Sequence, residues 1–376
     1  MSKRRLVLSV LGGVVLLGTL GFTLWLMSLP KGTVHTVAPS IAQSETDAML
    51  AALKPPKRQR PLIAIIGVNA GTEVTDYVMP YGILSRADVA VVLTVATQPG
   101  PLQLYPALRV QPHSTVSDFD AKFPEGADFV IVPAMHRDDD PQAIEWIRQQ
   151  AAKGAIVIGV CAGAKVVAET GLMDGKKATT HWYYLREMLK RHPTIRYVSN
   201  RRMVADRGIV TTTGISASMP MSLTLIEAIA GRAKAMEVAA QLGLPHWDAR
   251  HDSSPFQFTR PFAMSVLGNV LRFWHRDRFS IELQPAVDEV SLALVADMWS
   301  RTYRSKARTF SSKSDGQYSR NGLLILPDEA DPSGSPLSVS DLPPARMLDD
   351  TLRSVGARYG AATASMIAMQ LEYPYR

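Results

Sequence analysis

The chain contains one cysteine, Cys161, and its setting gives it chemical interest. It lies in AIVIGVCAGAKVVAETGLMDGKKATTHW, where an apolar run passes into small residues, then a helical pattern, then His181. Ala155 to Val160 read as a buried parallel strand and Gly163 to Glu169 as the following helix, so Cys161 falls on the corner between them. Such a corner is a nucleophile elbow. It lifts the sulfur clear of the sheet's C-terminal edge and points helix N-terminal N–H groups at it, which favours thiolate over thiol. Gly159 and Gly163 leave room for the sharp turn. The competing reading, a structural cysteine acting as a small hydrophobe, fits the small flanking residues less well.

VCAGAKVVAETGLMDGKKATTHW resembles the elbow, helix and strand of the ThiJ/PfpI superfamily of class I glutamine amidotransferase-like folds, and in particular the amino-terminal domains of GlxA-type AraC transcription regulators. GIVTTTGISASMPMSLTLIEAIAG is similar to the final strand, turn and helix of those domains, and the resemblance covers roughly residues 61–245. It implies a flavodoxin-like α/β fold with a mostly parallel sheet flanked by helices. It also implies Cys161 as the elbow thiol, His181 of ATTHW as the nearby imidazole, and Asp76 of VTDYVMP as a carboxylate entering from the first helix. Two departures stand out. Many members carry Gly-Gly after the third strand, but here VPAMHRDDD puts Ala134, Met135 and His136 in the oxyanion loop. Ala162 follows the cysteine and offers a backbone N–H without a hydroxyl. These four residues, with Trp182, form the expected substrate-binding set.

The elements that must position these groups alternate. Strands are expected at Leu62 to Val68, Val89 to Ala96, Phe129 to Pro133 and Gly208 to Thr212, and helices at Asp76 to Arg86, Pro141 to Ala152 and Met221 to Leu242, a pattern that argues for helices around a mostly parallel sheet. His136 sits at a strand's C-terminal end, where α/β sheets place ligands, while Asp138 to Asp140 suit the start of the Pro141 helix. Trp182 and Tyr183 fit either a pocket wall or core packing. The segment HWDARHD has no HExxH or CxxC spacing, so a solvated linker is favoured over a metal site, and no glycine-rich turn has a phosphate-loop pattern. No cofactor is therefore expected.

A length of 376 residues, 46% of them hydrophobic, accommodates one large or two ordinary domains. Residues 6–27 form an uncharged run long enough to cross a bilayer. Lys3, Arg4 and Arg5 precede it, so the expected arrangement is a cytoplasmic tail at 1–5, a single span at 6–27, and the remainder outside the cytoplasm of a bacterial inner membrane. SLPKG offers no good signal-peptidase site. The net charge of +7 is concentrated in residues 1–60, where eight Lys and Arg face only Glu45 and Asp47. The rest is near neutral and no nucleic-acid partner is expected. A single cysteine permits no intrachain disulfide.

Residues 28–60 read as a tether and 246–277 as a connector with a helix near Pro261 to His275. Beyond lies an internal repeat. Shifted by 215 positions, Ile66 falls on Ile281, Ser85-Arg86 on Ser300-Arg301, Leu108 on Leu323 and Pro112 on Pro327. Shifted by 129, Leu223 falls on Leu352, Gly231 on Gly360, Gln241-Leu242 on Gln370-Leu371 and Pro245 on Pro374. The expectation is a ThiJ/PfpI-like domain at 61–245 and a truncated copy at 278–376, without thiol or imidazole, docked as an intrachain pseudo-dimer, with a homodimer left open. Two functions follow. The pocket binds or senses a small molecule or oxidant, or Cys161 is the nucleophile of a hydrolase, hydratase or glyoxalase type of enzyme. The altered oxyanion loop favours the first, and strand-like runs such as GLLILP stand where a regulator would need recognition helices.

Overall fold

The computed structural model describes residues 3–32 and 37–375, with the side chains of residues 3–12 and 15 outside the described set. Its main sheet has seven strands: β1 (Leu62–Gly67), β3 (Val91–Ala96), β6 (Ser114–Thr115), β7 (Phe129–Val132), β8 (Ile156–Gly159), β11 (Met203–Asp206) and β12 (Ile209–Thr212). The order is β11-β12-β8-β7-β1-β3-β6, parallel throughout except for the antiparallel edge strand β11. Both faces are covered, which is why LIAIIG, FVIV and IVIG are unbroken apolar runs. Ile63 and Ile65 enter one core, with α3 (Val74–Ala87), α8 (Ser218–Ala230) and α9 (Arg232–Leu242). Leu62, Ala64 and Ile66 enter the other, with α4 (Val116–Lys122), α5 (Pro141–Ala152), α6 (Gly163–Glu169) and α7 (Leu185–Arg191). The alternation is the period-two signature of a strand between two helical layers.

Two element boundaries differ from expectation for local reasons. α3 begins before Asp76 because the Glu73 side chain caps it, accepting from the Asp76 N–H. The expected helix at 221–242 is two helices, broken at Gly231, whose φ of 87° no helix interior can hold.

The expected span at 6–27 is corrected. Among the described residues no helix is long and apolar enough to cross a membrane. α1 (Lys3–Ser28) runs along that stretch. Its C-terminal end is tied to the body instead. Arg260 on α10 (Arg260–Val270) donates from Nε to the Leu26 carbonyl at 3.1 Å and from Nη2 to that of Met27 at 2.7 Å, and Trp25 meets Phe258. The single-pass, extracytoplasmic placement loses its support with the span. Residues 37–60 are also more than a tether: α2 (Gln43–Ala52) buries Met49, Leu53 is fully buried, and Arg58 pairs with Asp128.

The C-terminal half carries a smaller parallel sheet. β13 (Asp277–Glu282) pairs parallel with β14 (Ser305–Phe310) and β17 (Ser335–Pro336), and α11 (Glu289–Ser300), α12 (Pro344–Tyr359) and α13 (Ala361–Leu371) pack around them. β13 lies 215 positions after β1 and α13 lies 129 after α9, with matching ends. A second sheet joins the halves in the order β15-β16-β5-β4-β2, made of β2 (Ala70–Glu73), β4 (Leu102–Tyr105), β5 (Arg109–Gln111), β15 (Gln317–Tyr318) and β16 (Leu324–Leu326). β5 and β16 pair antiparallel about Val110↔Ile325, with Arg109 opposite Leu326 and Gln111 opposite Leu324. Since β16 is also 215 positions from β5, this ladder has the form of a local two-fold. α3 packs on α11, and a two-stranded pair, β9 (Lys177–Ala178) with β10 (Arg196–Tyr197), lies against β11 and β12.

Candidate functional site

Cys161 is the corner between β8 and α6, with φ at 56°, a left-handed conformation that an L residue adopts only under constraint. The constraint is visible on both sides. The Cys161 N–H donates to Thr212 Oγ1 at 3.1 Å, and its carbonyl accepts from Thr180 Oγ1 at 3.1 Å. Gly163 is required because a Cβ there would overlap the Val132 carbonyl oxygen. The sulfur sits at the base of a cavity of about 480 Å³. Its walls are aromatic, from Tyr105, Trp182, Tyr183, Tyr184, Phe258 and Phe262, and Ala134, Met135, His136 and Ala162 also line it. His136 stands exposed, its ring 4.4 Å from that of Tyr105, so the expected binding set does meet around the thiol.

The expected thiolate is corrected. Burial pushes the Cys161 thiol well above its ordinary range, the charges of Asp76 and Glu73 push it further, and the Ala162 N–H opposes them weakly. The helix terminus is present but is outweighed by desolvation and by neighbouring carboxyls. Asp76 is fully buried in the first turn of α3 and lies behind the cavity wall. Its Oδ2 accepts from the Ala134 N–H at 3.1 Å, while Oδ1 has no partner. Burial, then Glu73, raises its pKa well above the usual carboxylate range. The Ala134 carbonyl meanwhile accepts from the Glu73 N–H, so both backbone groups of Ala134 are engaged. That N–H is unavailable to an oxyanion.

His181 is buried and its ring is occupied at both nitrogens. Nδ1 accepts from the Tyr183 N–H at 3.2 Å, which puts the proton on Nε2, and Nε2 donates to the Gln370 carbonyl at 2.9 Å. Burial lowers its pKa, so the imidazole is held neutral. Trp182 serves both expected roles, lining the cavity while its Nε1 donates to the Met369 carbonyl at 2.7 Å. The solvated-linker reading of HWDARHD is corrected at His251, which is buried, stacks on Phe256 and pairs with Glu372 at 2.9 Å, because the end of α13 covers it.

Several groups at the site were missed in the sequence. Glu73 lines the cavity and caps α3, a role that glutamate does not signal in sequence, since Ser, Thr, Asp and Asn are the usual caps. Arg301, Tyr303 and Gln370 reach the cavity from the C-terminal half. Arg301 and Gln370 were in view only as matched letters of the repeat. Lys165 is an unremarkable helix lysine in sequence, but in the fold it bonds Asp138 at 2.8 Å and Glu187 at 2.9 Å. A second cavity, about 500 Å³, lies between Glu282, Asp288, Arg320 and Asp341, with neither thiol nor imidazole in its lining.

The chain is similar to several known proteins. Isonitrile hydratase of Pseudomonas putida is 33% identical over 172 residues, which is 44% of this chain and 72% of that protein. The HTH-type transcriptional regulator CdhR of Pseudomonas aeruginosa is 29% identical over 149 residues, 38% of this chain and 44% of the regulator. Among solved structures, Drosophila melanogaster DJ-1beta superposes with a TM-score of 0.45 at 19% identity, covering 50% of this chain and 100% of that one. Residues 63–228 match the DJ-1/PfpI family, and with the thiol elbow between β8 and α6 at its centre, the chain belongs to that family.

Proposed function

We propose that the Cys161 cavity binds a small organic molecule and that the chain acts as a ligand-responsive protein rather than as a cysteine-nucleophile enzyme. The observation that carries this reading is the burial of the thiol beside two carboxyls, which raises its pKa. An attack by Cys161 would need a base and an oxyanion donor, and His181 and the Ala134 N–H are both committed elsewhere. Protonation also disfavours direct oxidant sensing, since the thiolate is the reactive form. The cations of the cavity, Lys165 and Arg301, are already ion-paired, so its free contribution is aromatic surface. An uncharged molecule with a flat apolar body suits such walls. Relatives named as transcriptional regulators lend weight to a sensing role.

The enzyme reading retains one specific support, the strained φ of Cys161, which resembles a poised nucleophile, together with a relative named isonitrile hydratase. Thermal-shift and turnover measurements on wild type and Cys161→Ala over a metabolite panel separate the two. Stabilisation by a compound that survives intact supports binding. Consumption of a compound that stops in Cys161→Ala overturns it.

We further infer that residues 278–376 are a truncated second copy of the 61–245 domain, serving as its internal partner. Support comes from the coincident element boundaries and from the β5–β16 ladder about Val110 and Ile325. The copy keeps too few strands to bury both faces of a sheet alone. Fragment 61–376 is expected to be monomeric, and fragment 61–256 to self-associate or aggregate. Light scattering that finds the shorter fragment a stable monomer removes this inference.

A further inference from the structure

The short connection from α11 to β14 places a tyrosine where the backbone disfavours one. Tyr303 has φ at 61°, in the left-handed region that a bulky residue occupies only under constraint. Glycine, asparagine and aspartate tolerate that region, and the left-handed residue that ends α3 is Asp88, at 53°. The constraint on Tyr303 comes from its neighbours. Thr302, fully buried, accepts at Oγ1 from the Arg304 N–H at 3.0 Å and from the Ser305 N–H at 2.9 Å, and the Arg304 carbonyl accepts from the Asp277 N–H at 2.8 Å. None of these bonds uses the tyrosine side chain, so the turn would close as well around glycine. Nor does the ring belong to the core: it is 38% exposed and stands in the wall of the Cys161 cavity. Tyr105 and Tyr183 are exposed in the same wall, and they and Arg301 are its neighbours there. Among the described residues no hydrogen bond engages the hydroxyl of Tyr105, Tyr183 or Tyr303. Tyrosine rings offer broad contact at little cost in side-chain freedom, and an unspent hydroxyl adds polar recognition.

We propose that Tyr303 is a ligand-contact residue that the C-terminal half supplies to the Cys161 cavity, and that with Tyr105 and Tyr183 it selects an uncharged aromatic compound bearing a carbonyl or hydroxyl oxygen. The Tyr303 ring packs on the flat body of the compound, and the phenol hydroxyls bond its oxygen. The strained turn holds the ring at the cavity before any ligand arrives, so no ordering of the backbone is left to binding. This rests on the reading of the cavity as a ligand site, and adds to it the residue and the polar group that confer selectivity. Tyr303 lies outside the family-matched segment 63–228, so the contact is a property of this chain's own C-terminal half.

The test is equilibrium dialysis of the full chain against fluorenone and fluorene, flat molecules of one shape of which only the first has a carbonyl oxygen. Wild type should bind fluorenone about fivefold more tightly than fluorene, the worth of one hydrogen bond. Tyr303→Ala should weaken both by about tenfold, because the ring contact is lost. Tyr303→Phe, which keeps the ring, should hold fluorene at its wild-type affinity and weaken fluorenone alone by about threefold. Tyr303→Gly relieves the backbone, so it should bind as weakly as Tyr303→Ala yet melt about 2 °C above it. That melting comparison needs no ligand, and Tyr303→Gly and Tyr303→Phe serve if Tyr303→Ala does not fold. Wild-type affinities in Tyr303→Ala or Tyr303→Gly overturn the proposal and leave the cavity a ligand site. Equal binding of the two compounds by wild type, or a Tyr303→Gly protein that melts below Tyr303→Ala, overturns it as well. Wild type that binds neither compound also overturns it, and the metabolite panel with Cys161→Ala then decides the ligand reading on its own.

Discussion

Glu372→Ala is expected to be among the most damaging substitutions outside the main sheet. The residue follows α13 with φ at 55° and is almost fully buried against the Cys161 domain. Its Oε2 accepts from the Gly214 N–H at 2.7 Å and, more weakly, from the Trp182 N–H at 3.4 Å, and Oε1 meets His251 Nε2 at 2.9 Å. Its carbonyl accepts from Ser216 Oγ at 2.7 Å, a bond that alanine keeps. Truncation therefore strands two well-bonded donors without access to water, at about 1–3 kcal/mol each and about 4 kcal/mol together. At about 2 °C per kcal/mol for a chain of this size, thermal unfolding should fall by about 8 °C. Glu372→Gln keeps an acceptor for Gly214 and should lose only about 1–2 kcal/mol. In a double-mutant cycle with His251→Ala, the pair should be coupled by about 1–2 kcal/mol. Calorimetry on the full chain is the assay. A Glu372→Ala protein within about 1 kcal/mol of wild type would refute the claim that this carboxylate fastens the C-terminal half to the site.

Gly163→Ala should cost about 3–5 kcal/mol or prevent folding, because its Cβ collides with the fixed β7 backbone rather than with a side chain able to move, and chemical denaturation reads the loss. Asp76 has a folded pKa raised above its unfolded value, so the stability it supports is full at acid pH and is lost as pH rises through the folded pKa. Asp76→Asn, which mimics the neutral carboxyl, should therefore gain on wild type as pH rises from 4 to 9, and a melting-temperature difference that stays flat over that range contradicts a protonated Asp76. His181 has the opposite sign. Its folded pKa is depressed, so its neutral form supports stability above the unfolded value near 6.5 that is lost as pH falls, and His181→Gln should flatten the acid side of the stability curve.

The elbow was legible because its requirements are local: a small-residue corner between an apolar run and a helix leaves few alternatives, and Cys161 and Gly163 stand where that pattern puts them. The electrostatics of the site were not legible. Whether Cys161 is acidic depends on Glu73 and Asp76 packing beside it, and nothing in the spacing of VTDYVMP reports burial. The Glu73–Arg301 ion pair in the cavity wall requires knowing that α11 crosses α3, a contact between residues more than two hundred positions apart. The membrane expectation rested on charge bias and run length, which describe what a segment could do in a bilayer, and among the described residues no helix is long and apolar enough to cross one.

The most direct test of the account is the ionisation of Cys161 itself in the intact wild-type chain, read as the rate of iodoacetamide alkylation from pH 6 to pH 10.5. A ligand pocket with a protonated thiol at rest predicts slow alkylation at neutral pH and a midpoint above the roughly 8.5 of a free cysteine. Rapid alkylation at pH 6 with a midpoint well below 8.5 would mean a standing thiolate, and would return Cys161 to the role of nucleophile.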